Sequence, residues 1–140
     1  EDENNKNTNI MIAFLDLDGL KQINDKYGHE EGDVALKALA DILNNCKKQQ
    51  DIVGRLGGDE FAFLGVGYNY TEAEDFTNTI QSAIQQYNRQ SLNEFAIGAS
   101  CGYYIFTPQD NMELSECIDI ADGKMYKEKY KKKKKGIHNN

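Results

Sequence analysis

Between Asp51 and Val66 the chain carries a pattern that a tight β-hairpin accommodates best. The runs 51-DIVGRL-56 and 59-DEFAFLGV-66 both read as strands, and only Gly57 and Gly58 lie between them. A two-residue connection between antiparallel strands requires positive φ angles, which glycine adopts without steric cost. Upstream, 10-IMIAFLDL-17 is apolar on both alternating faces, so it reads as a central strand covered on both sides.

Helical periodicity fills the intervals. The stretch 19-GLKQINDKYG-28 fits a short helix, with Leu20, Ile23 and Tyr27 at spacings of three and four and Gly28 as its stop. A second helix is predicted over about 31–47, from the broad apolar face that runs from Val34 to Leu43. A third is predicted over about 71–89. A long strand, 95-FAIGASCGYYIF-106, is closed by Thr107-Pro108, and a last helix covers about 112–130. Helices and an antiparallel hairpin in one chain imply an α+β sheet with helices on its faces.

A length of 140 residues suits one domain with one core. The polar stretch 1–9 is predicted to be a disordered lead-in, 10–130 the folded domain, and 131–140 a basic tail. The longest apolar run, 10-IMIAFL-15, is too short to span a bilayer, and no secretory pattern opens the chain. Cys46, Cys101 and Cys117 form no CxxC pair, which favours reduced thiols in the cytoplasm, used as small core side chains. A net charge of -7 argues against a nucleic-acid partner, and nothing in this chain points to membrane contact. Lysines are nevertheless concentrated near the end, at Lys127, Lys129 and Lys131 to Lys135. That run reads either as a solvated, frayed tail or as a source of one or two phosphate-binding lysines.

Four acids carry the chemistry. Asp16 and Asp18 end one strand, and Asp59 and Glu60 begin another. If those strands are neighbours, the acids converge at one edge of the sheet. Clustered carboxylates repel, and a divalent cation removes that penalty. Oxygen-only ligands favour Mg2+, with Mn2+ as the alternative, over zinc or copper. The plainer reading of either pair alone is turn chemistry. No GxxxxGK[ST] loop is present, and neither a Ser/His/Asp arrangement nor zinc spacing stands out; His29 and His138 are far apart.

Taken in order, 16-DLDGLKQINDKYGHEEGD-33, 55-RLGGDEF-61, 98-GASCGYYIF-106 and 121-ADGKMYKEK-129 resemble the GGDEF domain, the catalytic module of diguanylate cyclases, over nearly the whole chain. The resemblance implies a palm-like nucleotide-cyclase fold with a central, mostly antiparallel sheet flanked by helices. It also implies an activity: two GTP condense to cyclic di-GMP and two pyrophosphates. The protein would be a homodimer in which each 3′-hydroxyl attacks the α-phosphorus held by the partner. This is in-line phosphoryl transfer, in which metals and positioning supply most of the catalysis.

The resemblance also assigns roles. Asp16 and the carbonyl of Leu17 match metal ligands. Asp59 and Glu60 match the acidic signature positions, each a candidate metal ligand and proton acceptor. Gly57 and Gly58 let the backbone approach the triphosphate. Asn24 and Asp33 match the guanine-binding pair. A carboxylate accepts from both N1–H and the 2-amino group of guanine and would be left unpaired against adenine; helix-end capping is the alternative role. His29 either packs between the helices or contacts ligand. Lys21 and Lys129 match phosphate-contacting lysines, and Lys133 stands where the family has an arginine. Lysine keeps that charge but loses the bidentate fork.

Two further features depart from the pattern. The family's DxLTxLxNR-like segment is missing before the first strand, which implies a piece of a longer parent with an N-terminal sensory or dimerising region, whether or not that parent is membrane-anchored. The product-binding RxxD motif reads 48-KQQD-51, with Lys48 in place of arginine, so feedback by cyclic di-GMP is expected to be weak or absent. Two alternatives to the cyclase stand beside it: a non-catalytic module that binds GTP or a partner, and a nucleotide cyclase of another product class.

Overall fold

A computed structural model describes residues 8–139, with side chains described as far as residue 134. Residues 1–7 of the expected lead-in and the side chains of Lys135 and His138 lie outside that description. The element order is β1 (Ile10–Leu17), α1 (Leu20–Tyr27), α2 (His29–Cys46), β2 (Ile52–Gly57), β3 (Glu60–Val66), α3 (Tyr70–Gln90), β4 (Ala99–Phe106) and α4 (Leu114–Asn139). The strands form one sheet in the order β2-β3-β1-β4, with every pairing antiparallel.

β1 is the central strand that its two apolar faces demand. Its alternate residues Met11, Ala13, Leu15 and Leu17 join Phe61, Phe63 and Ile105 and pack against Ile23, Leu39, Leu43 and Ile80 of α1, α2 and α3. Phe63 anchors this side, stacked on Phe76 at 4.4 Å and edge-on to Tyr68 at 5.8 Å. Truncating such a buried ring typically costs about 3–5 kcal/mol. On the other face, Ile12 packs with Cys117 and Ala121 of α4. α4 crosses β4 and β1. Ile52, Leu64 and Val66, farther along the same face, remain exposed.

Several elements differ from their sequence-based outlines. The hairpin turn falls on Gly58-Asp59, one residue later than expected, because the register shifts between Arg55 and Gly57 and Gly57 pairs with Glu60. Arg55 secures the turn by donating from Nε to Gly58 O at 3.0 Å, and Gly58 takes a φ of 51°, which favours glycine. The last strand starts at Ala99 rather than residue 95. The Asn88 side chain instead takes up the backbone of Ile97, donating to its carbonyl at 2.8 Å and accepting from its N–H at 2.9 Å. Finally, α4 continues past Tyr130 to Asn139, so the described lysines 131–134 are helical. α3 opens one residue early on a reciprocal cap: Glu72 N donates to Asn69 Oδ1 at 2.8 Å and Asn69 N to Glu72 Oε1 at 3.0 Å.

Candidate active site

Pairing of β1 with β3 sets Asp16 opposite Glu60, on one face of the sheet at the end of its central strands. The neighbouring turn is tied to the same place, because Leu17 N donates to Asp59 O at 2.9 Å. α4 then contributes Lys129. Its Nζ lies 2.7 Å from Asp16 Oδ2, 3.2 Å from Asp59 Oδ2 and 3.4 Å from the carbonyl oxygen of Leu17. Asp16 is 7% exposed, and its second oxygen, Oδ1, is buried with no hydrogen-bond partner among the described residues.

The electrostatics follow from that crowding. Burial pushes the Asp16 carboxyl up to about 6 against the pull of Lys129. Burial also works to raise Asp59, but its hydrogen bonds with Asp16 and Lys129 outweigh it and hold the group below its ordinary value. For Lys129, burial works downward, yet its bonds to both carboxylates leave it above an ordinary lysine. Glu60 is raised by burial and then by the negative charges of Asp122 and Asp59.

These groups suit a hard divalent cation in part. Among the described residues, no group of three or more His, Cys, Asp or Glu side chains is arranged to cage a metal. Two carboxylates and a carbonyl oxygen are a partial, all-oxygen set. Magnesium sites commonly have this form, with water and substrate phosphate completing the shell. The orphaned Asp16 Oδ1 and the ammonium drawn in among the three oxygens both fit a site built for positive charge.

Asp18 is engaged separately. Its Oδ1 accepts from Ser100 Oγ at 2.7 Å and its Oδ2 from Lys132 at 2.9 Å, while Lys132 also donates to the carbonyl of Ala99 at 2.6 Å. Lys132 is therefore the second lysine of α4 to reach the end of β1, whereas Lys133 is exposed. Helical spacing alone admits either lysine, because residues three and four apart both share a face with Lys129.

Asn24 and Asp33 sit on the two helices that follow β1. Asn24 is half-buried, and Gly32 leaves room for it: a Cβ there would come within 1.8 Å of Asn24 Oδ1. Asp33 is exposed and borders a groove of about 490 Å³ between α2 and the hairpin, lined also by Leu36, Val53, Arg55 and Phe61. Gly57 and Gly58 are exposed at the hairpin tip, and His29 is exposed at the first position of α2. Lys21 pairs with Asp25 at 3.0 Å on the surface of α1. Among the described residues, no hydrogen bond or ion pair joins Lys21, His29 or Lys133 to the carboxylates.

An antiparallel palm with acidic residues at the end of its two central strands, beside a glycine turn, defines a nucleotide-cyclase type of domain. The chain belongs to the GGDEF family: the model described as diguanylate cyclase, GGDEF domain, matches residues 1–135. Enzymes of this family use a divalent metal. The chain is 35% identical over 129 residues to diguanylate cyclase DgcP of Escherichia coli, covering 91% of this chain and 38% of that protein. Among solved structures, it is similar to the GGDEF domain of PA1120 (YfiN or TpbB) from Pseudomonas aeruginosa, with a TM-score of 0.80 and 28% identity over 93% of this chain and 81% of that one. It is also similar to the GGDEF domain of DgcB from Caulobacter crescentus in complex with c-di-GMP, with a TM-score of 0.77 and 27% identity over 88% of this chain and 73% of that one.

Proposed function

We propose that this domain condenses two molecules of GTP into cyclic di-GMP and two pyrophosphates, acting as a homodimer that presents one bound nucleotide to the other. The observation that carries the reading is the convergence of Asp16 Oδ2, Asp59 Oδ2 and the Leu17 carbonyl on one cation position at the end of the central strands. Asp16, Leu17 and Asp59, with Glu60 beside them, would hold Mg2+, or Mn2+ in its place. When bound, the metal would polarise the phosphoryl oxygens and offset charge on the triphosphate.

The remaining work falls to the chain's own groups. Asn24 and Asp33 hold the guanine edge, with Gly32 giving Asn24 its room. Gly57 and Gly58 let the triphosphate come close to the backbone, and Lys21, Lys129 and Lys133 supply positive charge for it; His29 lies at the nucleotide's rim. The proton of the attacking 3′-hydroxyl goes to Glu60 or Asp59. The raised carboxyl of Glu60 suits a base better than Asp59, which its hydrogen bonds hold low. The reading places the domain in the cytoplasm with its substrate; among the described residues, no helix is long and apolar enough to cross a membrane.

Mass analysis of products from GTP and Mg2+ tests the proposal, with this chain and a longer form of the protein compared side by side. Cyclic di-GMP from either supports it. Nucleotide that is bound but unchanged in both would establish the non-catalytic module, and a product of another mass would establish another cyclase.

A further inference from the structure

Lys129 occupies the position where the proposed metal belongs. Its ammonium touches Asp16, Asp59 and the Leu17 carbonyl, the same three groups assigned to the cation. Two cations cannot share that set at hydrogen-bond distance without strong repulsion in a half-buried site. We propose that Lys129 is a tethered counter-ion, which neutralises the carboxylate pair while no metal is bound and leaves it when a divalent cation enters. The inference rests on the metal-site reading and goes beyond it.

Two features of α4 make the exchange mechanically simple. Lys132, one turn further along, holds the helix to Asp18 and to the Ala99 carbonyl, so the backbone can stay in place while the Lys129 side chain moves. The Lys129 side chain is itself 24% exposed and sits on a flexible four-carbon stem, so its ammonium has a route to solvent. Once displaced, it remains beside the site as a free positive charge, which a triphosphate would attract. Metal and nucleotide binding are then coupled through one side chain. Metal alone must displace an ion pair, whereas metal with nucleotide gives the released ammonium a new partner.

The decisive experiment observes Lys129 in the wild-type chain by NMR of the lysine side-chain ammonium groups, without metal and across a Mg2+ titration. The backbone amides of Asp16 and Leu17 report binding in the same samples. The expected result is a Lys129 signal protected from solvent without metal and lost to fast exchange as those amides shift. Shifted amides with an unchanged Lys129 signal would overturn the exchange while leaving the metal site intact. Amides that do not respond to Mg2+ or Mn2+ at all would overturn both. Calorimetry with Mn2+ alone gives a second measure: Lys129→Met is expected to bind about tenfold more tightly than wild type, and Lys132→Met to change affinity less than about threefold. Equal effects of the two substitutions would show that only diffuse charge matters and that no exchange takes place. The NMR experiment decides alone where Lys129→Met fails to fold.

Discussion

Asp16 and Asp51 are both buried carboxylates beside the sheet, and in each Oδ1 lacks a hydrogen-bond partner among the described residues. The partners of the other oxygen separate them. Asp51 Oδ2 accepts from Tyr68 Oη at 2.6 Å and from the backbone N–H of Lys48 at 2.8 Å. Both donors are neutral, and both are fixed, Tyr68 by packing against Phe63 and Phe76. The nearby Lys48 ammonium lies over the Tyr68 ring, 4.6 Å from its centroid. Asp16 Oδ2 instead meets a charge on a long stem, opposite a second carboxylate. One aspartate is a strut, and the other holds something exchangeable. An unsatisfied buried oxygen alone does not distinguish them, whereas the type and mobility of its partner does.

The strongest challenge to this contrast is removal of the acids at the hairpin tip. Asp59→Ala and Glu60→Ala are each expected to lower cyclase turnover by about a thousandfold or more, while circular dichroism and melting remain close to wild type. Near-normal rates in both folded variants would make the Asp16 cluster as structural as Asp51. A smaller effect, about a hundredfold, is expected from Asp33→Asn on the preference for GTP over ATP, because the mismatched base no longer leaves a carboxylate unpaired. Calorimetry in Mg2+ measures it, and equal affinity of the wild type for the two nucleotides would refute the guanine assignment. At the strut, Tyr68→Phe is expected to cost about 2 kcal/mol in urea unfolding and to leave turnover per folded molecule unchanged. The smallest effect belongs to the product. Because Asp51 is 4% exposed and already bonded twice, cyclic di-GMP is expected to bind and inhibit weakly or not at all at Lys48–Asp51. Low-micromolar binding that vanishes in folded Asp51→Ala would show that the strut can open.

Elements with a strong local period were legible in the sequence. β1 has the bounds that its doubly apolar pattern gave, and α1 ends at Gly28 as its spacing indicated. What escaped depends on distant partners. Nothing in 95-FAIG-98 reveals that Asn88 will replace a strand neighbour for Ile97, and nothing in the hairpin pattern reveals the shift next to Arg55. The site shows the same division. Carboxylates meeting at the strand ends could be anticipated from two apolar strands, and the register sets Asp16 against Glu60. That Lys132 rather than Lys133 reaches Asp18 depends on how α4 is rotated against β4, which the run of identical residues does not encode.

The place of β1 also has a kinetic consequence. Both of its sheet partners, β3 and β4, come from distant parts of the chain, and the bond from Lys129 to Asp16 closes a loop of 113 residues. Helical segments can form locally and early, but pairings of such separation must wait for long loops to close. No contiguous half of the chain contains the cluster, so it cannot exist during synthesis until α4 has left the ribosome and docked. Occupancy of the cluster then reports completed folding, and any ligand that prefers it stabilises the whole domain by mass action.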